Sequence, residues 1–387
     1  MIYFSLFLYL ITFIGGFILD KKKHKSPKSE RFYIVWLFIF LCFGYMTGSD
    51  WRGYELDFES LNGFSSHDRL GESNFEFGFW SIFYIFKVIF SDFFLVIGLL
   101  KALYLLTLLK LLKSLTNYYL SAICCLMPLT LCFMLIDNPL RFMTASILLN
   151  LSLYYLVKNN FIKGVVLIIL SVFVHNTCII MLFLLPFLSY YKKLLKFRNI
   201  TLFIVYLFIT YIFSDDGPVG TFTSYFQMQM MLAGGKDYSS YLQQEGNSFL
   251  TLGSFLNIFL FLLVLYFRKF ILSTKHGEII FSCAIVYFFL FRLFVMIPSG
   301  TRLTVPFSYF VAILFAEVIN KSRQPVRKVL FLYLLILFSK YLWTPYVYIP
   351  YSNSILYIIT THKPYLERSN YNFDSYKERM GREYYNN

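Results

Sequence analysis

Long apolar runs recur along the chain, separated by short polar clusters, and none shows the strict alternation of a half-buried strand. The runs cover residues 1–19, 32–48, 93–112, 118–136, 140–157, 164–191, 201–213, 249–267, 279–297, 303–319 and 329–343. Many approach or exceed the roughly 18 residues a helix needs to cross the hydrocarbon core of a bilayer. The pattern predicts an all-α polytopic membrane protein, because a β-barrel would show short segments of alternating polarity. Segment 1–19 lacks a basic leading region and a small-residue cleavage site, so it is expected to remain as a helix. Segment 77–90 is apolar but short, with Lys87 inside it, and is expected to be interfacial or re-entrant.

The polar clusters orient these segments. Residues 20–31 carry six Lys and Arg and are assigned to the cytoplasmic side by the positive-inside rule. Segment 164–191 reads as one span, yet Lys158 and Lys163 precede it and Lys192, Lys193, Lys196 and Arg198 follow it. A single crossing would expose one of these clusters outside. Two short helices folding back at His175-Asn176 keep both inside, and that hairpin is the prediction. The result is about 12 transmembrane helices with short re-entrant or hairpin helices. They form a single transmembrane domain over 1–343, with outer loops at 49–92 and 214–248 and an outer tail at 344–387. The inner segments then hold 21 of the 35 Lys and Arg, while the outer ones carry 11 against 17 Asp and Glu. The outer face is therefore acidic, and a cation on it calls for a reason. Trp51, Trp80 and Trp343 fall at the predicted outer boundary, where an aromatic belt belongs.

Composition narrows the class further. Of the 387 residues 58% are hydrophobic and only 14% charged, against about 25% charged in a soluble domain. This excludes a soluble enzyme, and the high hydrophobicity excludes a disordered chain. The net charge of +14 sits in short clusters between apolar runs, so it reads as topology and not as a nucleic-acid groove. All six cysteines lie inside apolar runs, which leaves no disulfide framework and no zinc spacing to read. Walker A, GxGxxG and HExxH motifs are absent. No metal, cofactor or energy-coupling machinery is expected, so any group transfer would use an already activated donor.

Four features gather on the outer side. The first is Gly48-Ser49-Asp50-Trp51-Arg52-Gly53-Tyr54, continuing to Asp57. Asp50 is either a general base or sugar-hydroxyl binder, or part of a solvated acidic loop. The loop reading is preferred for Glu55 and Glu59. The second is Glu76-Phe77-Gly78-Phe79, where Glu76 is either an acid–base group or a carboxylate answering a helix dipole. The third is a set of arginines. Arg141 and Arg302 each begin an inward-going segment, and a planar guanidinium suits phosphate oxygens. Snorkelling toward headgroups is the plainer alternative. Arg292 and Lys101 lie inside spans, where packing and function are equally good readings. The fourth is His175 at the hairpin turn, a structural group or a proton acceptor.

In this order and spacing, the features resemble the Wzy-type polysaccharide polymerases, in particular their EpsG-like branch. The likeness rests on Gly48-Ser49-Asp50-Trp51 with Tyr54, on Glu76, Gly78 and Phe79, on Arg141 with Ala145, on His175-Asn176-Thr177 and on Arg302. It spans residues 30–320, and departs from the family pattern at Phe142, where a Gln is usual. The resemblance implies a GT-C-like fold and an O-antigen or exopolysaccharide polymerase at the outer face of the bacterial inner membrane. Such an enzyme transfers a growing undecaprenyl-pyrophosphate-linked glycan onto a fresh lipid-linked repeat unit. It further implies catalytic roles for Asp50, Glu76 and His175. Pyrophosphate contacts fall to Arg141, Arg302 and Arg292, and sugar contacts to Trp51, Tyr54 and Asp57. The implied partners are undecaprenyl-pyrophosphate-linked oligosaccharides, membrane lipids and a chain-length regulator protein, with no nucleic acid. The rival readings are a flippase or transporter of lipid-linked oligosaccharide, and a membrane glycan ligase or acyltransferase. A transporter would be expected to show repeated halves with broken helices, and none is visible.

Overall fold

A computed structural model describes residues 2–21, 26–48, 51–63, 77–137, 139–179, 181–182, 191–219, 251–294, 300–343, 351–357, 367–368 and 370. These residues are helical apart from turns and one isolated backbone bridge, Gly44 to Asn353. In chain order the helices are α1 (Ile2–Lys21), α2 (Pro27–Leu37), α3 (Trp51–Ser60), α4 (Phe77–Phe90), α5 (Phe93–Leu115), α6 (Tyr119–Leu126), α7 (Leu140–Val157), α8 (Phe161–Val174), α9 (Asn199–Ile212), α10 (Leu252–Tyr266), α11 (Arg268–Leu272), α12 (Gly277–Phe294), α13 (Val305–Lys321) and α14 (Gln324–Trp343). Five stretches are long and apolar enough to cross a membrane: Tyr3–Lys21, Phe93–Leu115, Leu140–Val157, Gly277–Phe294 and Arg302–Lys321. Five shorter apolar helices accompany them. The protein is thus an all-helical polytopic membrane protein.

The chain divides into two units. One comprises residues 1–182 and 315–387, the other residues 183–314. In the first unit α5, α7 and α8 pack side by side and α1 lies along α6. The helix boundaries follow local chemistry. The Asp92 carboxylate accepts from the backbone N–H of Leu95 at 2.7 Å and starts α5. Pro27 stands at the first position of α2, where its missing N–H is harmless. Asn159, at φ 58°, turns the chain between α7 and α8. Ser152 Oγ then donates to the Gly164 carbonyl at 2.8 Å, tying the pair together where no water competes.

Two departures from regular helix lie close to the candidate motifs. The 32–48 segment stays helical only to Cys42, ending in a π-turn over Phe38–Cys42. The chain after α6 continues through π-turns at Met127–Leu131 and Phe133–Asp137, the first containing Pro128. Such turns free backbone groups, and residues 351–354 meet those at residues 38–43. The Tyr351 hydroxyl donates to the Phe40 carbonyl at 2.7 Å, and Asn353 Nδ2 donates to the Ile39 carbonyl at 2.8 Å. The Ser354 backbone N–H donates to the Phe43 carbonyl at 2.7 Å. Residues 351–354 are therefore built into the first unit.

Candidate functional site

Two glycines bring the motifs of the first unit together. Gly48 has φ +83°, a conformation L side chains rarely adopt, and a Cβ there would fall 2.5 Å from the Ile136 carbonyl oxygen. Gly48 is thereby pressed against the backbone of Ile136 and Asp137. At the start of α4, a Cβ on Gly78 would lie 2.6 Å from the Phe173 carbonyl oxygen. Only a glycine lets α4 approach the last turn of α8, immediately before His175.

Side chains then meet across these contacts. Arg141 Nε, in the first turn of α7, donates to the Tyr54 hydroxyl of α3 at 3.0 Å. The Tyr54 ring stands edge-on to Phe79 of α4, with centroids 5.8 Å apart. Phe142, next to Arg141, is edge-on to His175 at 5.8 Å. His175 is buried and extended, and its backbone N–H closes α8 by donating to the Ser171 carbonyl at 2.9 Å. A 3-10 turn at Asn176–Cys178 follows, so regular helix stops at Val174, and most of the return arm of the expected hairpin lies outside the described residues. Asp57 lies one turn beyond Tyr54. Burial raises its carboxyl above the usual value, and the charge of Arg141 works in the opposite direction.

Asp50 and Glu76 lie outside the described residues. In sequence each directly precedes a helix, α3 and α4 respectively. Trp51 is buried, with its ring 5.8 Å from that of Phe94. Lys101 of α5 is buried. In the second unit, Arg292 is buried. Its Nε donates to the Tyr206 hydroxyl, and its terminal nitrogens donate to the Ser254 hydroxyl and carbonyl, each at 3.3 Å. Arg302 is half-buried in the 3-10 turn Gly300–Thr304 that leads into α13.

Two residues escape sequence reasoning. Glu55 is buried, not solvated, and its carboxylate accepts from Arg368 Nη1 at 2.7 Å. The same guanidinium lies over the Trp51 ring at 5.8 Å. The second is Lys87, whose ammonium donates to the carbonyls of Phe58, Glu59 and Leu61 at 2.6, 2.9 and 2.8 Å and so closes the C-terminal end of α3. Beside these contacts a pocket of about 340 Å³ is lined by Glu55, Glu59, Asp92, Phe58 and Phe93 among others. α3 thus shows Tyr54 and Asp57 to Arg141, and Glu55 and Glu59 to this pocket. No group of three or more His, Cys, Asp or Glu fit to hold a metal occurs among the described residues.

The model of the EpsG family matches residues 30–358. No curated protein and no solved structure matches the chain.

Proposed function

The chain belongs to the EpsG family, and from that premise we propose that it is a membrane glycosyltransferase that polymerises lipid-linked glycan. Family membership points to a polysaccharide-polymerase type of membrane protein. The finer reading is an O-antigen or exopolysaccharide polymerase in the bacterial inner membrane, with about twelve crossings, a GT-C-like arrangement and an active site facing the periplasm. Its donor is a growing glycan on undecaprenyl pyrophosphate, and its acceptor is the terminal sugar of a new lipid-linked repeat unit. The acceptor hydroxyl attacks the donor's anomeric carbon. The bond from that carbon to the pyrophosphate oxygen breaks, and undecaprenyl pyrophosphate leaves.

The observation that carries the reading is the contact of Arg141 with Tyr54. Holding Nε fixes the plane of the guanidinium at the head of α7. A fixed guanidinium can meet the charge that builds on a departing pyrophosphate, which favours the transition state over bound donor. Pyrophosphate contacts are likewise assigned to Arg302 and to Arg292. The acceptor proton needs a base, for which Asp50, Glu76 and His175 are the assigned groups. Tyr54 and Asp57 are assigned to sugar hydroxyls, with Trp51 behind them.

The glycan profile of a strain lacking the chain tests this reading against its rivals. Loss of a polymerase leaves surface glycans one repeat long. Loss of a flippase leaves none outside, and loss of a ligase leaves polymer on the lipid carrier. Either of the last two profiles would overturn the proposal.

A further inference from the structure

The C-terminal ends of α5 and α7, with the side of α2, border an open pocket of about 500 Å³. Part of its lining is apolar: Ile34, Leu106 and Leu109. The rest carries three ammonium groups, those of Lys110, Lys113 and Lys158. Leu106 and Leu109 precede Lys110 and Lys113 along α5, so the apolar part lies deeper in the membrane and the cations lie at its edge. The positive-inside rule assigns that edge to the cytoplasmic leaflet.

Sidedness alone would be met by lysines pointing anywhere on the inner face. Lys192, for example, is 71% exposed and pairs with Glu278 at 3.8 Å. Here, lysines from two different helices line one concavity. Lys110 lies over the Tyr154 ring at 4.8 Å, which holds its stem on the pocket wall. Glu30 is 3.5 Å from Lys113 and offsets one positive charge, so cations remain in excess. Leu106 is 52% exposed, which opens the apolar part toward lipid.

We propose that this pocket binds an anionic phospholipid of the cytoplasmic leaflet. The phosphate oxygens meet the ammonium groups of Lys110 and Lys158, and the first part of one acyl chain runs along Leu106, Leu109 and Ile34. Basic pockets between membrane helices on this side suit such headgroups. A zwitterionic ethanolamine lipid is disfavoured, because its own ammonium would face the lysines. The site is independent of the polymerase reading and remains whatever reaction the outer face performs.

The test is native mass spectrometry of the full chain with phosphatidylglycerol or phosphatidylethanolamine added. Wild type should retain phosphatidylglycerol preferentially. Lys110→Gln with Lys158→Gln should weaken retention about fivefold for each lysine removed. Lys110→Arg with Lys158→Arg keeps charge and topology and should retain the lipid, as should the control pair Lys192→Gln and Lys193→Gln. Equal loss from both Gln pairs would overturn the site and leave only a general surface charge. Displacement of the lipid by millimolar inorganic phosphate would also overturn it, since the apolar half of the pocket would then contribute nothing. Should the Gln pair fail to insert, a photoactivatable phosphatidylglycerol decides on the wild-type chain. Adducts within residues 103–113 or 150–158 support the site, and adducts confined to other segments overturn it.

Discussion

Tyr54→Phe deletes one oxygen, the acceptor that holds Arg141 Nε. A hydrogen bond to a charged group contributes about 1.5–3 kcal/mol, so a loss confined to the transition state would slow polymerisation by about ten- to a hundredfold. Shorter glycan at unchanged protein level is the expected outcome, and wild-type chain length would show that the contact does not act on the reaction. At Arg141 itself, Lys keeps the charge but loses the planar fork. Arg141→Lys should be damaging and Arg141→Ala more so, whereas an arginine that only snorkels would be replaced freely by Lys. Asp57 allows a prediction with a definite sign. Its pKa is raised on folding, chiefly by burial, so the folded protein binds this proton more tightly than the unfolded chain. Stability from this group is therefore greatest at low pH and declines as pH rises through the carboxylate range. Asp57→Asn should remove that decline. Thermal midpoints measured against pH should show the variant gaining on wild type as pH rises, and a gain on falling pH would reverse the assignment.

At the scale of elements, the site depends on close approaches. Gly78→Ala would force a methyl against the Phe173 backbone, and such overpacking costs about 1–3 kcal/mol. α4 and the end of α8 would have to part, moving Phe79 away from Tyr54. Reduced thermal stability together with shorter glycan is expected, and an inert Gly78→Ala would mean that the α4–α8 approach is not needed. The Glu55–Arg368 pair ties the tail to α3. Leaving one partner of a buried pair alone costs about 3–5 kcal/mol. Arg368→Ala should make the tail sensitive to protease added from outside, and exchanging the two charges (Glu55→Arg with Arg368→Glu) should restore part of the protection. The helix stop before His175 is legible in the sequence, because basic residues flank the apolar run on both sides and call for a turn within it; most of the return arm lies outside the described residues. α3 is not legible, because residues 51–60 are polar and mixed, and their helix is held by Lys87 and Arg368 from elsewhere.

Across the whole molecule, hydropathy carries the class, since long apolar runs in a bilayer can be little else than helices. It carries less about spans. Segments 32–48 and 118–136 read as simple crossings, yet both contain π-turns, and Pro128 in the second is the one mark of this in the sequence. The candidate residues of the first unit are legible one motif at a time, whereas their convergence is not. Tyr54 and Arg141 stand 87 positions apart, and Glu55 and Arg368 stand 313 apart. No periodicity reports such distances. The glycines come closest to doing so, for Gly48 and Gly78 each sit where one backbone meets another. Arg302 belongs to the other unit, and its part in the reaction is open to a direct assay.

That assay is elongation by the purified chain in liposomes, supplied with a synthetic undecaprenyl-pyrophosphate-linked repeat unit as the sole substrate. A polymerase should yield a ladder of lipid-linked products and release one undecaprenyl pyrophosphate for each repeat added. Arg141→Ala should abolish the ladder, and Arg302→Ala should suppress it. Movement of the substrate across the bilayer without elongation, or an undiminished ladder from Arg141→Ala, would contradict the account.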